Sequence, residues 1–317
     1  MSLKEYMKEN RGCIDALLEK HINSLPDTVD PKLKAAMRHG LLLGGKRVRP
    51  FLVFVTGKLL GADEAVLEGP AAAIECIHAY SLIHDDLPAM DNDVLRRGQP
   101  TVHKAFGEAM GILAGDALQT LGFEILANHP MPEKLLPNKI KMLQELGEAS
   151  GCRGMCGGQT LDLEAEGHKV DLDGLLRVHR HKTGALIRCA VRMGALASEH
   201  LTDSAMKALT EYSEAIGLAF QIHDDILDVT SSTEVLGKTA HSDESLEKST
   251  FPALLGLEGA KEYERKVYEK AVSALSPLMS ALGRIRMKDP AVPSDSSLQD
   301  ETSLLREFAE YIVTRGY

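Results

Sequence analysis

The stretch PAAAIECIHAYSLIHDDLPAMDNDVLRRGQ, residues 70–99, joins a long apolar segment to four aspartates and two adjacent arginines. The apolar part has the composition of a buried helix, and Pro88 must end or kink that helix because proline lacks the backbone N–H that a helix interior needs. The tetrapeptide IHDD returns at residues 222–225, again at the end of an apolar segment. Two copies of one acidic sequence in such similar positions are hard to ascribe to coincidence.

Helix signals dominate the rest of the chain and strand signals are few. Asp30 and Pro31 predict an N-cap and the first position of a helix that ends at residues 44–45, both glycine. Pro50 and Pro70 are each expected to open a further helix, although the valines around Pro50 leave a short strand possible. Further helices are predicted at roughly residues 107–128, 138–156, 171–197, 203–229, 251–256, 258–283 and 300–315.

The chain shows no internal boundary. No Gly- or Ser-rich linker and no change of composition divides the 317 residues, of which 44% are hydrophobic. We therefore expect an all-α fold in a single domain that spans residues 1–317. Residues 284–301 are rich in Pro, Ser and Asp, and this composition predicts a surface loop.

Charge and hydropathy exclude several classes of function. A net charge of −10 argues against nucleic acid as the partner, because binding phosphate backbones requires an extended basic face. No window approaches 18 uninterrupted apolar residues and the N-terminus lacks a secretory signal, so a cytoplasmic protein without a membrane span is expected. Basic residues nevertheless cluster in GGKRVRP (44–50) and LRRG (95–98). Such local clusters suit a small phosphorylated ligand.

The acidic motifs have the chemistry of metal ligands. In the second motif Asp224 and Asp228 share one helix face, and Asp225 lies about 100° around the helix. These carboxylates would repel one another unless a cation neutralised them, and Mg²⁺ prefers carboxylate and phosphate oxygens. In the first motif the chain breaks at Pro88, so that Asp91 can fold back toward Asp85. The alternative for either motif is a helix end whose acids are solvated by water.

Acidic and basic clusters together indicate a reaction class. Two carboxylate clusters that face each other across a helical bundle would bind Mg²⁺ ions that hold a diphosphate, with lysines and arginines on the remaining oxygens. Such a diphosphate is a better leaving group, because charge stabilisation on a departing group is often the largest catalytic contribution.

The sequence resembles the trans-isoprenyl diphosphate synthases, and among them the bacterial-type enzymes that make farnesyl diphosphate. The resemblance covers some two thirds of the chain, and its motifs occur in the family's order: GGKRVRP, IHAYSLIHDDLPAMDNDVLRRGQPTVHKAFGEA, LAGDALQ, MCGGQTLDLEAEG, HKTGALI, FQIHDDILD and LGKT. It implies a helical bundle around a deep central cavity, usually in a homodimer. The implied activity is the Mg²⁺-dependent, head-to-tail condensation of isopentenyl diphosphate with dimethylallyl or geranyl diphosphate.

The resemblance also implies roles for individual residues, with up to three Mg²⁺ ions bound alongside the substrate. The implied metal ligands are Asp85, Asp91 and Asp224; the implied contacts to the allylic diphosphate are Arg96, Lys182 and Lys238; the implied holders of isopentenyl diphosphate are Lys46, Arg49, His78 and Arg97; and the implied neighbours of the reacting carbons are Thr183 and Gln221. Helical periodicity supports one of these assignments independently. His78 and Asp85 are seven residues apart, two helical turns, and so share a face.

Product length and one sequence departure remain open. Tyr80 is the aromatic residue that the resemblance implies as the floor under a growing C15 chain, whereas ideal helix geometry places Ser81 beneath Asp85. The alternative is that Tyr80 is a hydrophobic core residue without a role in product length. Where the family commonly has GKTxGKD, this chain has GKTAHSDE, so that His241 and Ser242 replace Gly and Lys. Lys248 is close enough in sequence to replace the lost charge.

Three other functions are possible for a sequence of this kind. A terpene cyclase would share the metal chemistry, but two basic clusters imply two diphosphates, and the chain has no Trp and only 4% aromatic residues to guide cyclic cations. A geranylgeranyl diphosphate synthase differs only in product length. A non-catalytic subunit of a heteromeric synthase is the third alternative, and the completeness of both acidic motifs argues against it.

Overall fold

The computed structural model describes residues 2–230, 249–288 and 295–316, and these are almost entirely helical. The predicted all-α class is confirmed. The helices are α1 (Leu3–Asn23), α2 (Pro31–Leu42), α3 (Val48–Leu59), α4 (Glu64–Asp85), α5 (Val102–Phe106), α6 (Glu108–Asn128), α7 (Leu136–Ser150), α8 (Met155–Ala165), α9 (Leu172–His179), α10 (Ala185–Leu196), α11 (Asp203–Thr230), α12 (Phe251–Lys288) and α13 (Asp295–Thr314). A 3₁₀ turn (Glu133–Leu135), a π-helical turn (Arg180–Gly184) and a two-stranded antiparallel ribbon of β1 (Leu95–Arg96) and β2 (Gln99–Pro100) complete the described elements.

Helix α4 lies in the middle of the hydrophobic core. Nearly all of its side chains from Val66 to Ile77 are buried, and it packs against α3, α6 and α10. Helix α11 packs along α12 and also contacts α13, where the hydroxyl of buried Tyr212 donates to the carbonyl of Leu305 at 2.6 Å. One hydrophobic cluster includes residues of α1, α4, α11 and α13. The core therefore surrounds the two helices that carry the acidic motifs.

Local signals located several helix ends correctly. Asp30 caps α2, because its Oδ1 accepts hydrogen bonds from the N–H groups of Lys32 and Leu33 at 2.9 and 3.0 Å. Helix α4 ends at Asp85, before Pro88, as expected. The predicted break near residue 257 is also present, because Gly256 has φ +71° and interrupts the helical geometry of α12.

Other boundaries were predicted wrongly. Helix α3 begins before Pro50, and the alternative of a strand there is wrong. Helix α4 begins at Glu64 behind the N-cap Asp63 and contains Pro70 in its interior, so proline was a misleading start signal. The helix predicted at residues 138–156 ends at Ser150, and α1 and α8 had not been predicted. The loop predicted at residues 284–301 is contradicted at both ends by α12 and α13.

Helix α6 is long and apolar enough to cross a membrane when judged by length and composition alone. Its buried face, which includes Ala114, Leu118 and Ile125, packs along α4. Only 44% of its most apolar window is buried, however, and the opposite face exposes Ile112 and Leu113. A core helix of a soluble protein passes the same test, so the composition of α6 is weak evidence for a span.

Candidate active site

The first acidic motif lies where α4 ends and the chain reverses. Asp85 is the last residue of α4, and its carbonyl accepts a hydrogen bond from the N–H of Asp91 at 2.9 Å. The N–H of Asn92, which has φ +53°, donates to the carbonyl of Leu87 at 3.1 Å. The break at Pro88 therefore returns Asp91 to the neighbourhood of Asp85, as the sequence had indicated.

Asp86 has a different environment from Asp85. It is 2% exposed, and its carboxylate accepts hydrogen bonds from Nε and Nη2 of Arg96 at 2.6 to 3.0 Å. Arg96 reaches this position from the β1–β2 ribbon, whose turn residues Arg97 and Gly98 both have positive φ, as a tight type I′ turn requires. Arg96 was expected to contact a diphosphate, and in this structure it binds Asp86.

A π-helical turn between α9 and α10 carries Lys182 into the site. Lys182 Nζ lies 2.6 Å from Oδ2 of Asp162 on α8. Gly158 allows this approach of α8, because a Cβ at that position would overlap the backbone nitrogen of Lys182. Single π turns inside helices occur frequently at functional sites.

The same π turn is tied to α11 by Thr183. Its hydroxyl donates to Oε1 of Gln221 at 3.0 Å, and the amide of Gln221 donates to Oδ1 of Asp225 at 3.3 Å. The other oxygen of Asp225 accepts the N–H of Phe251 at 3.0 Å. Asp225 is therefore a buried acceptor that fastens the start of α12 to α11.

Asp224 contacts an arginine that sequence reasoning missed. Nη2 of Arg315 lies 2.6 Å from Oδ1 of Asp224, and the guanidinium lies 4.1 Å from the centre of the Phe220 ring. The ring of His223 bonds the carbonyl of Arg315 at 2.9 Å and the carboxylate of Glu264 at 2.7 Å. Arg315 follows directly after α13, and no local pattern distinguishes it from any other arginine near a chain end.

In both copies of IHDD, the first and the second aspartate therefore differ in the same way. In each copy the second aspartate, Asp86 or Asp225, is buried and holds the fold together. The first aspartate of each copy, Asp85 or Asp224, is only partly buried. The first aspartates are thus the members of each pair that remain able to meet a ligand.

A second, basic group lies around His78 of α4, two helical turns before Asp85. His78 is surrounded by arginines: burial lowers its pKa well below the usual value, and the positive charges of Arg49 and Arg97 lower it further. Burial also lowers the pKa of Arg49 to about 10, an effect that the carboxylate of Glu75 partly offsets. Desolvation, followed by repulsion from Arg315, lowers the pKa of Lys46. His78 is therefore neutral at physiological pH, and the arginines carry the charge.

Electrostatics connect the first acidic motif to the π turn. Burial raises the pKa of Asp85 to about 6; Lys182 opposes this shift and Asp91 adds to it. Lys182 is thus close to Asp85, while its neighbour Thr183 bonds Gln221, one turn before Asp224 on α11. Both acidic motifs therefore lie around the same π turn.

Mg²⁺ fits this arrangement only together with a ligand. The described parts of the chain bring together no group of three His, Cys, Asp or Glu residues that could hold a metal ion by themselves. Asp85 and Asp91 do supply neighbouring hard oxygen donors, and burial raises the pKa of Asp85 because it takes water away from the ionised carboxylate. Such a pair suits a cation whose remaining coordination positions are filled by phosphate oxygens and water.

Most of the predicted site residues fall into two groups in the structure. Around the π turn lie Asp85, Asp91, Lys182, Thr183, Gln221 and Asp224. The basic group contains Arg49, His78 and Arg97, with Lys46 between it and Asp224. Lys238 lies outside the described residues, as does the whole GKTAHSDE departure. The residues that sequence reasoning missed are Arg315, Asp162 and Glu75.

Comparison with known proteins identifies the family. A family model described as polyprenyl synthetase matches residues 30–279. The farnesyl diphosphate synthase of Escherichia coli (strain K12) is 53% identical over 315 residues, covering 98% of this chain and 99% of the relative. That of Haemophilus influenzae is 46% identical over 312 residues, covering 98% of each. The apo crystal structure of an FPP/GFPP synthase from Zymomonas mobilis matches with a TM-score of 0.79 at 39% identity, covering 98% of this chain and 99% of that one. The resemblance inferred from the motifs is confirmed, and the chain belongs to the polyprenyl synthetase family.

Proposed function

We propose that the protein is a Mg²⁺-dependent farnesyl diphosphate synthase that condenses isopentenyl diphosphate with dimethylallyl and then geranyl diphosphate. The observation that carries this proposal is the presence of two charged groups along α4: two acidic motifs around the π turn, and a separate group of arginines around His78. Two charged sites of this kind suit two diphosphates. The printed names of the E. coli and H. influenzae relatives support the C15 product.

The first site is assigned to the allylic diphosphate. Asp85, Asp91 and Asp224 would hold Mg²⁺, which when bound neutralises the charge that develops on the departing diphosphate. Lys182 adds a positive charge next to Asp85 and would bind the diphosphate directly. Binding at Asp224 requires that this carboxylate exchange its contact with Arg315 for the cation.

The second site is assigned to isopentenyl diphosphate. Arg49, Arg97 and Lys46 supply the positive charge, and neutral His78 contributes a hydrogen bond. The allylic C–O bond breaks and its electron pair leaves with the diphosphate. The double bond of isopentenyl diphosphate then forms the new C–C bond, and a proton is lost to the departed diphosphate. The oxygens of Thr183 and Gln221, which are hydrogen-bonded to each other, would stabilise the allylic cation.

The reaction is tested directly with purified protein, Mg²⁺, labelled isopentenyl diphosphate and dimethylallyl diphosphate. We expect linear C15 alcohol after dephosphorylation. Asp85→Ala and Asp224→Ala should each lower turnover by about 10²-fold or more, because each removes a carboxylate from the diphosphate-metal site, while the circular dichroism spectrum stays helical. Asp27→Asn, at an exposed turn, is the control and should match the wild type.

Each other product identifies an alternative function. Linear C20 alcohol as the main product identifies a geranylgeranyl diphosphate synthase, and cyclic hydrocarbon identifies a cyclase. No product from the isolated protein would favour a non-catalytic subunit. Full activity of both alanine variants would contradict the metal assignment.

The raised pKa of Asp85 predicts a stability change of unusual sign. A carboxyl group whose pKa is raised to about 6 in the folded state destabilises the protein once it ionises, so the cost is present above pH 6 and disappears as the pH falls toward 4. In chelator-treated protein at pH 7.5, Asp85→Asn should therefore raise Tm by about 2–4 °C, roughly 1 kcal/mol, after allowance for solvent screening.

The matched variant for this experiment is Asp224→Asn. It breaks the ion pair with buried Arg315 and should lower Tm under the same conditions. The gain from Asp85→Asn should shrink at pH 5, and added Mg²⁺ with inorganic diphosphate should stabilise the wild type more than Asp85→Asn. If the Tm of Asp85→Asn at pH 7.5 is equal to or below that of the wild type, ionised Asp85 does not destabilise the folded protein.

Tyr80 is proposed as the residue that limits product length. It is 7% exposed, and its ring lies edge-on to His84 with the centroids 5.7 Å apart. Burial raises the pKa of its hydroxyl, and a hydrogen bond with Gln119 of α6 opposes that shift. Its ring thus fills the space between α4 and α6 just before the first acidic motif.

Replacing Tyr80 by Ala should open this space and add C20 and longer products to the C15 product. Tyr80→Phe keeps the ring and should keep the C15 product, which makes it the matched control. Chromatography of the dephosphorylated products measures the outcome. An unaltered distribution from a folded Tyr80→Ala variant would leave Tyr80 as an ordinary core residue.

The exposed apolar face of α6 is proposed as a homodimer interface in a single-domain cytoplasmic enzyme. Ile112 and Leu113 are 47% and 51% exposed, although the other face of α6 packs along α4. A second copy of the chain would cover them and remove about 25 cal/mol per Å² of apolar surface from water. The continuous cluster from α1 to α13 supports one domain.

We expect the wild type to sediment as a dimer and the double variant Ile112→Glu/Leu113→Glu to sediment as a monomer, because two charges would be buried at the contact. Met279→Glu, at an exposed methionine of α12, is the control and should remain a dimer. Analytical ultracentrifugation measures the masses. A monomeric wild type, or a dimer that survives the double substitution, would contradict this interface.

A further inference from the structure

A buried carboxylate lies directly behind the basic group. Glu75, on α4 and one turn before His78, is 2% exposed, and its Oε1 accepts a hydrogen bond from Nη1 of Arg47 at 2.6 Å. A buried carboxylate is costly unless it is paired and hydrogen-bonded. Arg47 provides that partner for one of the two oxygens.

Arg47 is itself held from three directions. Its Nε donates to Asp15 of α1 at 2.8 Å, and its Nη2 donates to the carbonyl of Leu41 at 2.8 Å. Its backbone has φ +49°, a left-handed conformation that is uncommon for a residue other than glycine. These contacts fix the conformation of the loop that carries Lys46 and leads into the first turn of α3, where Arg49 lies.

The second oxygen of Glu75 is available. Among the described residues, Oε2 of Glu75 is buried and has no hydrogen-bond partner, and the same holds for Nε of Arg49. The charge of Glu75 also acts on Arg49 and Arg97, where in each case it opposes the effect of burial. The charge of Glu75 thus acts on both arginines through space, whereas its one hydrogen-bonded partner among the described residues is Arg47.

We propose that Glu75 is a positioning residue for the homoallylic diphosphate: through its ion pair with Arg47, it fixes the loop that places Lys46 and Arg49 for the ligand. This inference rests on the proposed function, because it assumes that Lys46 and Arg49 hold isopentenyl diphosphate. The geometry explains why a carboxylate, which would repel a diphosphate, stands so close to its site. Glu75 is buried and its charge is paired with Arg47, so it is not exposed to the ligand.

Glu75→Gln tests the proposal, since it keeps the size of the side chain and removes its charge. The KM for isopentenyl diphosphate should rise about tenfold or more, as expected for the loss of a charged hydrogen-bonding partner, while the KM for geranyl diphosphate changes less than about twofold. Glu145→Gln removes the carboxylate of another ion pair, 2.6 Å from Arg192 and outside the site. This matched control should lower Tm without changing either KM.

The outcomes separate this proposal from the proposed function. A folded Glu75→Gln variant with an unchanged KM for isopentenyl diphosphate, or with equal losses for both substrates, would overturn the positioning role while prenyl transfer by the wild type stands. If the wild type formed no prenyl product, calorimetric binding of isopentenyl diphosphate to wild type and variant would still test the role of Glu75, and equal affinities would refute it.

If Glu75→Gln fails to fold, a second variant tests the proposal. Glu75→Asp keeps the charge but has a shorter side chain, so it should fold and show an intermediate KM for isopentenyl diphosphate. A wild-type KM in that variant would refute the proposal.

Discussion

The structure depends on how a helical interior holds charges of the same sign close together. Such groups are costly in a partly dry site, so each one needs a fixed partner or a ligand. Asp86 is held by Arg96, and Glu75 by Arg47. Asp85 has no such fixed partner among the described residues, and burial raises its pKa. The pairing of Asp86 therefore distinguishes it from Asp85, the aspartate of the first motif that stays partly exposed to a ligand.

The sequence predicted the skeleton of this arrangement because its signals are local. Pro88 ends α4, and a capping aspartate starts α2; both effects depend on a few neighbouring residues. Which aspartate of each IHDD is buried and paired could not be predicted in the same way. The partner of Asp86 lies ten residues away and that of Asp225 lies 26 residues away. Spacing alone cannot tell which aspartate of a pair will find such a partner, since the answer depends on the tertiary fold.

The errors of prediction have the same origin. Arg315 reaches Asp224 across 91 residues of sequence, and an arginine near a chain end carries no local signal of that contact. Residues 284–301 have the composition of a loop, yet α13 begins within them because Leu305 and Phe308 anchor that helix in the core. Pro70 failed as a start signal because Asp63 already caps α4. In each case packing at long range outweighed a correct but weak local preference.

Irregular backbone concentrates where the site needs it. The π turn that carries Lys182 and the left-handed residues Arg47, Asn92 and Arg97 all lie beside the charged groups. Conformations of this kind persist only when surrounding contacts overdetermine them, as the three contacts of Arg47 do. The folded chain thus retains charge that burial disfavours, at Asp85 and at the arginines near His78. Under the proposed function a cation would compensate the first and a diphosphate the second, so the charges that make the free protein less stable would be the ones that favour binding of both.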